Sequence, residues 1–172
     1  MHRLIKRKLK RNICSLARAS QFIGKLLIFL RHGDAEENHG DGDAARRLTA
    51  KGERQAQIAG RALAAMGAEI DTCLASPKVR ATDTAKLACE ALSVELETAN
   101  ELRGGGFDSF SLAAGRGDVL LVGHEPDFSR EVARLTGARV KLRKGGLAIV
   151  DGSTLTALLR PRDLAALAEG SN

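Results

Sequence analysis

Two histidines and two arginines stand at the ends of apolar runs, where a folded chain could use them together. Arg31 and His32 follow an apolar run of five residues, Arg80 comes shortly after a second run, and His124 after a third. Guanidinium groups bind phosphate oxygens through paired hydrogen bonds. A neutral imidazole is a nucleophile near neutral pH. These residue types therefore indicate a site that binds a phosphoryl group and can accept it covalently.

The apolar runs predict buried strands that end at one edge of a sheet. Residues 26–30 and 118–122 are continuously apolar or nearly so, as is typical of strands covered on both faces, and residues 70–75 predict a shorter strand. Helical patterns separate these runs, and this alternation predicts a parallel sheet. The carboxyl ends of parallel strands meet at one edge, so Arg31 and His124 can converge although they are 93 positions apart.

Capping residues, prolines and glycines predict where the helices begin and end. Thr49 is a suitable N-cap for a helix to about Met66, and Ser76-Pro77 predicts the start of another that runs to about Leu92. Pro126 begins a third helix, which Gly137 ends. The remaining predicted elements are a weak strand at 94–96, closing strands at 138–142, 146–151 and 154–159, and a short helix at 163–168.

The chain of 172 residues predicts one domain, residues 26–172, preceded by a basic extension, residues 1–25. The formal net charge is +6, but residues 1–25 hold eight Lys or Arg and no acid, so the rest of the chain sums to −2. A nucleic-acid role for the domain is therefore not expected. For the extension we expect a poorly ordered terminus, with a membrane-surface helix or a targeting peptide as the alternatives.

The three cysteines, Cys14, Cys73 and Cys89, show no spacing typical of a metal site or a disulfide framework. Cys73 and Cys89 fall in apolar patterns and are expected to be buried thiols. A reducing compartment, the cytoplasm, fits them best. No metal or other cofactor is expected, because the acidic residues lack ligand spacing and the arginines already supply positive charge.

Three motifs together resemble the histidine phosphatase, or phosphoglycerate mutase-like, superfamily. They are Arg31-His32-Gly33 after a strand, Ser76-Pro77-x-x-Arg80-Ala81-x-x-Thr84-Ala85, and Val122-Gly123-His124. The run from Arg31 to Glu36 and the segment Arg47-Leu48-Thr49-x-x-Gly52 are most similar to the small SixA-type phosphohistidine phosphatases. The resemblance covers about residues 26–160 and implies an α/β fold, a three-layer sandwich with a mostly parallel central sheet and helices on both faces.

Carried onto this chain, the resemblance implies a phosphatase in which His32 forms a phosphohistidine intermediate. Arg31, Arg80 and His124 would hold the phosphoryl group. Asn38 stands seven positions after Arg31, where mutase-like members use an asparagine to touch phosphate, so it is a further candidate. SixA-type members need not use that asparagine.

The general acid is the residue on which the sequence departs from larger members of the superfamily. Glu101, in Asn100-Glu101-Leu102-Arg103-Gly104-Gly105, is the match to their glutamate, although Arg103 and Gly104 depart from the SixA-type run. Asp34 is a second carboxylate expected near the site. A phosphohistidine leaves as imidazole, a far better leaving group than an alkoxide, so a strong acid could also be dispensable.

The preferred substrate is a phosphohistidine on a phosphotransfer or signalling protein. Only 43 residues separate Arg80 from His124, which leaves little chain for a lid over the site, and an open cleft suits a phosphorylated protein. The alternatives are hydrolysis of a small phosphate ester or a nucleotide, and a non-catalytic module that binds phosphorylated ligands. A mutase is disfavoured, because it must exclude water.

Overall fold

The computed structural model describes residues 26–170, in which strands and helices alternate as expected. The proposed basic extension, residues 1–25, lies outside the described residues. The strands are β1 (Leu26–Arg31), β2 (Thr72–Ala75), β3 (Leu96–Thr98), β4 (Val119–Gly123), β5 (Leu147–Asp151) and β6 (Thr154–Leu159). The helices are α1 (Ala50–Ala65), α2 (Val79–Cys89), α3 (Ser109–Leu112), α4 (Asp127–Thr136) and α5 (Pro161–Glu169), with 3₁₀ turns at Asp43–Ala45 and Asn100–Arg103.

The six strands form one mixed sheet in the order β3-β2-β4-β1-β5-β6. The pairings β1–β4, β2–β4 and β2–β3 are parallel, whereas β5 runs antiparallel to both of its neighbours. The mostly parallel sheet is thus confirmed. β1 lies inside the sheet between β4 and β5, which is why residues Leu27 to Leu30 are all buried.

Alternate side chains of β1 enter two separate cores, one on each face of the sheet. Ile28 and Leu30 pack on the face covered by α1, α2 and α5, and Leu27 and Phe29 pack on the face covered by α3 and α4. The rings of Phe29 and Phe128 meet edge to face with centroids 5.4 Å apart. Full burial of each such side chain contributes about 2 kcal/mol. These two layers of helices around the sheet confirm the three-layer sandwich.

Most predicted bounds hold, and Thr49 is the N-cap of α1, where its side chain accepts a hydrogen bond from the Gly52 N–H. Two predictions were wrong. Ser76 does not cap α2, which begins at Val79, because its hydroxyl lies ahead of the helix, where it accepts from the Lys78 N–H at 3.3 Å and pairs with a ring nitrogen of His124 at 2.9 Å. Residues 138–142 form no strand, because Leu142 bonds to side chains of the site described below rather than to a neighbouring strand.

Gly33 and Gly52 bring two segments of backbone into direct contact beside the carboxyl end of β1. A Cβ on Gly33 would overlap the backbone of Gly52, and a Cβ on Gly52 would overlap the carbonyl oxygen of Asp34. The N–H of Gly33 also donates to the Thr84 hydroxyl of α2 at 3.0 Å. The turn after His32 is therefore held between the first turn of α1 and the second turn of α2.

Among residues 26–170, none of the helices has both the length and the hydropathy of a membrane span. The expected burial of Cys73 and Cys89 is confirmed, and both are free thiols.

We predict that Gly52→Ala will lower the free energy of unfolding by roughly 2–3 kcal/mol, because the new methyl group must displace backbone that cannot rotate away. Urea denaturation measures this change. Gly40→Ala is the matched control, since a Cβ there meets nothing within 4 Å. Equal stability of the two variants would show that the Gly33–Gly52 contact is not tight in solution.

Candidate functional site

The carboxyl ends of β1, β2 and β4 open into one cleft, and the predicted residues gather there. Arg31 ends β1 and His32 follows it, Arg80 lies in the first turn of α2, and His124 follows β4. The cleft has a volume of about 340 Å³. It is lined by Arg31, His32, Lys78, Arg80, Arg103, Gly104, Gly105, His124, Glu125, Pro126, Asp127 and Arg130.

The hydrogen bonds of His32 fix which ring nitrogen carries the proton. Nδ1 lies 2.7 Å from the carbonyl oxygen of Gly33, and a carbonyl can only accept, so Nδ1 is the protonated nitrogen. Nε2 then keeps its lone pair, and the Nε–H of Arg80 donates to it at 3.3 Å. The ring is buried, with 6% of His32 exposed. His32 therefore presents a neutral, nucleophilic nitrogen beside a guanidinium group.

Asp43 holds the Arg80 guanidinium from the side away from His32. Nη1 of Arg80 donates to the carbonyl oxygen of Asp43 at 2.6 Å, and Nη2 donates to its carboxylate at 3.2 Å. The same carboxylate accepts from Lys78 at 3.0 Å. Hydrogen bonds from Lys78, Arg46 and Arg80 keep the pKa of Asp43 far below its usual range, so the carboxylate stays charged.

Arg31 is positioned by the peptide of Leu142 in the segment before β5. Its Nη1 donates to the Leu142 carbonyl at 2.9 Å, while the Leu142 N–H donates to the Glu125 carboxylate, also at 2.9 Å. Burial lowers the pKa of Arg31, and the charge of Glu125 opposes that shift. The Nε atom of Arg31 is buried without a hydrogen-bond partner.

His124 faces His32 across the cleft, with ring centroids 5.0 Å apart. Its Nε2 pairs with the Ser76 hydroxyl at 2.9 Å, while its Nδ1 is buried without a partner. Within residues 26–170, that nitrogen and Arg31 Nε are the buried side-chain nitrogen or oxygen atoms left unpaired. Both belong to cleft residues, as expected of a site whose ligand completes the hydrogen bonding.

Burial and neighbouring cations keep both imidazoles neutral. Desolvation, followed by the charges of Arg80 and Arg31, lowers the pKa of His32 to about 4. Desolvation, followed by His32 and Arg80, lowers the pKa of His124 to about 3. Each ring therefore stays unprotonated as the pH falls until it approaches these values, and His32 retains its lone pair across the neutral range.

Glu101, Asn38 and Asp34 are not brought into the cleft. Glu101 and Asn38 are exposed, and neither lines it. Asp34 does not line the cleft and instead accepts a hydrogen bond from the Lys144 ammonium at 2.8 Å. This contact lowers the pKa of Asp34, so its carboxylate stays charged and has no proton to donate. The roles of Glu101 as general acid and of Asn38 as phosphate ligand stay predictions.

The cleft also contains residues that the sequence reasoning did not assign to it. Lys78, Arg103 and Arg130 add cations, and Glu125 and Asp127 add carboxylates. Position offers a signal for the carboxylates, because they follow His124 by one and three residues at the carboxyl end of β4. Arg103 and Gly104, which depart from the SixA-type run, lie at the site itself.

Among residues 26–170, no group of three or more His, Cys, Asp or Glu side chains could hold a metal ion. The expectation that the reaction needs no metal stays a prediction. The positive charges that line the cleft are those of arginine and lysine side chains.

Comparison with known sequences gives a consistent family. The family model of the histidine phosphatase superfamily (branch 1) matches residues 27–111. An uncharacterized protein of Picosynechococcus sp. is 32% identical over 136 residues, which cover 70% of this chain and 81% of that protein. The mitochondrial serine/threonine-protein phosphatase Pgam5 of Drosophila ananassae is 35% identical over 71 residues, 41% of this chain but only 24% of Pgam5.

Comparison with solved structures adds a close match in fold. The protein histidine phosphatase SixA, solved with tungstate, superposes with a TM-score of 0.71 at 25% identity, over 81% of this chain and 99% of that one. The α-ribazole phosphatase of Shigella flexneri, at 19% identity, and the phosphoserine phosphatase of Entamoeba histolytica, at 15%, share the fold with TM-scores of 0.61 and 0.58.

We predict that the imidazole resonances of His32 and His124 will titrate at about pH 4 and about pH 3, because both rings are buried beside cations. Unperturbed histidines titrate near pH 6.5. Proton NMR of the Cε1–H signals measures this, with His32→Asn and His124→Asn assigning the peaks. Titration of either ring near its unperturbed value would contradict the neutral, desolvated site.

Proposed function

Since this chain belongs to the histidine phosphatase superfamily (branch 1), we propose that it is a phosphatase whose substrate is a phosphohistidine side chain of another protein. The family match supports phosphatase activity, and the identity of the substrate is our proposal. One observation carries the mechanism: an unprotonated imidazole nitrogen, Nε2 of the buried His32, lies 3.3 Å from the Nε atom of the Arg80 guanidinium group in the cleft.

In the first half-reaction His32 Nε2 attacks phosphorus, and the bond from phosphorus to the substrate breaks. Arg31, Arg80 and His124 line the cleft around this nitrogen, so their N–H groups can bind the phosphoryl oxygens as charge develops on them. The Gly33 carbonyl accepts from Nδ1 and stabilises the positive charge that His32 gains. The product is a phosphohistidine enzyme.

In the second half-reaction water attacks the phosphorus of that intermediate, and His32 leaves as a neutral imidazole with its proton on Nδ1. Inorganic phosphate is released. The same N–H donors can stabilise this transition state, because the phosphoryl group stays bound among them.

The cleft fits a single phosphorylated side chain. Its volume of about 340 Å³ lies at the small end of the range for ligand sites. Between β3 and β4, the chain forms the 3₁₀ turn Asn100–Arg103, a run of three glycines and the four-residue α3. Little of it is left to enclose a free metabolite, which favours a substrate presented on a protein. The similarity to SixA, which was solved with a phosphate-like oxyanion, supports the same substrate class.

We predict that the enzyme quenched during turnover will carry phosphate on His32, as measured by mass spectrometry at low temperature and neutral to alkaline pH. His32→Asn should abolish both the label and the activity, because asparagine has no nucleophilic nitrogen. His39→Asn is the matched control, since His39 lies outside the cleft and should leave both intact. Label on any other residue would overturn the mechanism.

We also predict that a phosphohistidine-bearing phosphotransfer protein will be hydrolysed with a kcat/KM about 100-fold or more above that of sugar phosphates and nucleotides, because an alkoxide leaving group needs a proton from a general acid, whereas a protonated phosphohistidine leaves as neutral imidazole. Phosphate release from each substrate measures the ratio. Preference for a sugar phosphate or a nucleotide would instead support a small-molecule phosphatase.

A further inference from the structure

Asp127 is a buried carboxylate of the cleft that the two half-reactions do not use. It is the first residue of α4, three positions after His124, and 9% of it is exposed. Its Oδ2 accepts from the Gly105 N–H at 3.2 Å, whereas its Oδ1 has only a distant ion pair, 3.9 Å from Arg130. Oδ2 thus anchors the run of three glycines at residues 104–106, which we call the glycine loop, and Oδ1 is available to a ligand.

Glu125 is the second carboxylate in the cleft, and both of its oxygens already accept hydrogen bonds from the protein. Its Oε1 accepts from the Ser129 hydroxyl at 2.6 Å and from the Leu142 N–H at 2.9 Å, and its Oε2 faces the Ser129 N–H at 3.4 Å. Glu125 therefore acts within the protein, by holding the peptide that positions Arg31.

A carboxylate beside a site for a dianion weakens binding of that dianion unless the ligand also brings a hydrogen-bond donor. A phosphorylated imidazole brings one. When its second ring nitrogen is protonated, the ring presents an N–H group and a positive charge on the side away from phosphorus. A phosphate ester of serine presents neither at that position.

We propose that Asp127 Oδ1 accepts a hydrogen bond from the protonated ring nitrogen of a substrate phosphoimidazole and thereby selects phosphohistidine over phosphate esters. The proposal rests on the function proposed above. As His32 Nε2 bonds to phosphorus, the substrate P–N bond breaks and its electron pair returns to the ring. The substrate leaves as a neutral imidazole whose proton stays on the nitrogen that faces Asp127, so no proton transfer to the leaving atom is required.

Asp127→Asn separates this role from the anchoring of the glycine loop. The asparagine oxygen can still accept from Gly105, but its NH₂ group then occupies the place of Oδ1 and presents a donor to the substrate N–H. Asp83→Asn is the matched control, because it removes a carboxylate of α2 that lies outside the cleft. The probes are phosphoimidazole, phosphoserine, and p-nitrophenyl phosphate, whose leaving group needs no proton.

We predict that Asp127→Asn will lower kcat/KM for phosphoimidazole about tenfold or more, the effect of losing a charge-assisted hydrogen bond. Turnover of p-nitrophenyl phosphate should change little or rise, because a negative charge near the dianion is removed. Asp83→Asn should match the wild type on all three probes. In the wild type, kcat for phosphoimidazole should persist to higher pH than in Asp127→Asn, because the carboxylate favours the protonated ring.

The other outcomes overturn the proposal in distinguishable ways. A larger loss on phosphoserine would make Asp127 a general acid for esters. An equal loss on all probes would indicate a role in loop placement or in hydrolysis of the intermediate, and no loss would indicate no role. If the wild type hydrolyses the esters but not phosphoimidazole, the proposed function fails, whatever the variant does.

Discussion

The hydrogen bond from His32 Nδ1 to the Gly33 carbonyl decides which ring nitrogen keeps its lone pair toward the cleft. It is made by the residue next along the chain, so it requires the backbone to turn sharply at Gly33. That turn is held by contact with Gly52 at the start of α1 and by the Thr84 hydroxyl of α2. The chemistry of one nitrogen thus depends on two helices packing closely against one loop. Burial of the ring follows from the same packing, and it keeps the imidazole neutral among guanidinium groups.

The two arginines at the strand ends, Arg31 and Arg80, are held by protein partners before any substrate enters. Arg80 is held by a carboxylate and a carbonyl of Asp43, and Arg31 is held by a carbonyl and faces the charge of Glu125. These contacts fix the direction of each guanidinium group at the cost of part of its attraction for an anion. Preorganised donors of this kind do not have to reorient as the transition state forms, which is where electrostatic stabilisation is most effective.

The sequence predicts the frame of the site well and its lining less well. β1 and β4 are recognisable in the sequence because they are apolar along their length. The carboxyl ends of parallel strands lie at one edge of a sheet, so the sequence predicts that Arg31, His32 and His124 lie close together. The exposure of Glu101 could not be foreseen, because a one-residue rotation within a short 3₁₀ turn sends a side chain into or out of a cleft. The Ser-Pro pair predicts a helix cap at Ser76, but the hydroxyl of Ser76 pairs with His124, which is 48 positions away in the sequence.

The peptide of Leu142 connects the position of Arg31 to the hydrophobic core. Its side chain is buried in the core that contains Phe29, while its carbonyl and N–H bind Arg31 and Glu125. A substitution that leaves a void beneath this residue would let the peptide shift, and the shift would be passed to the guanidinium group of Arg31. Under the proposed mechanism, a substitution at position 142 therefore affects turnover as well as folding. An apolar side chain that does not line the cleft would then control how Arg31 is placed within it.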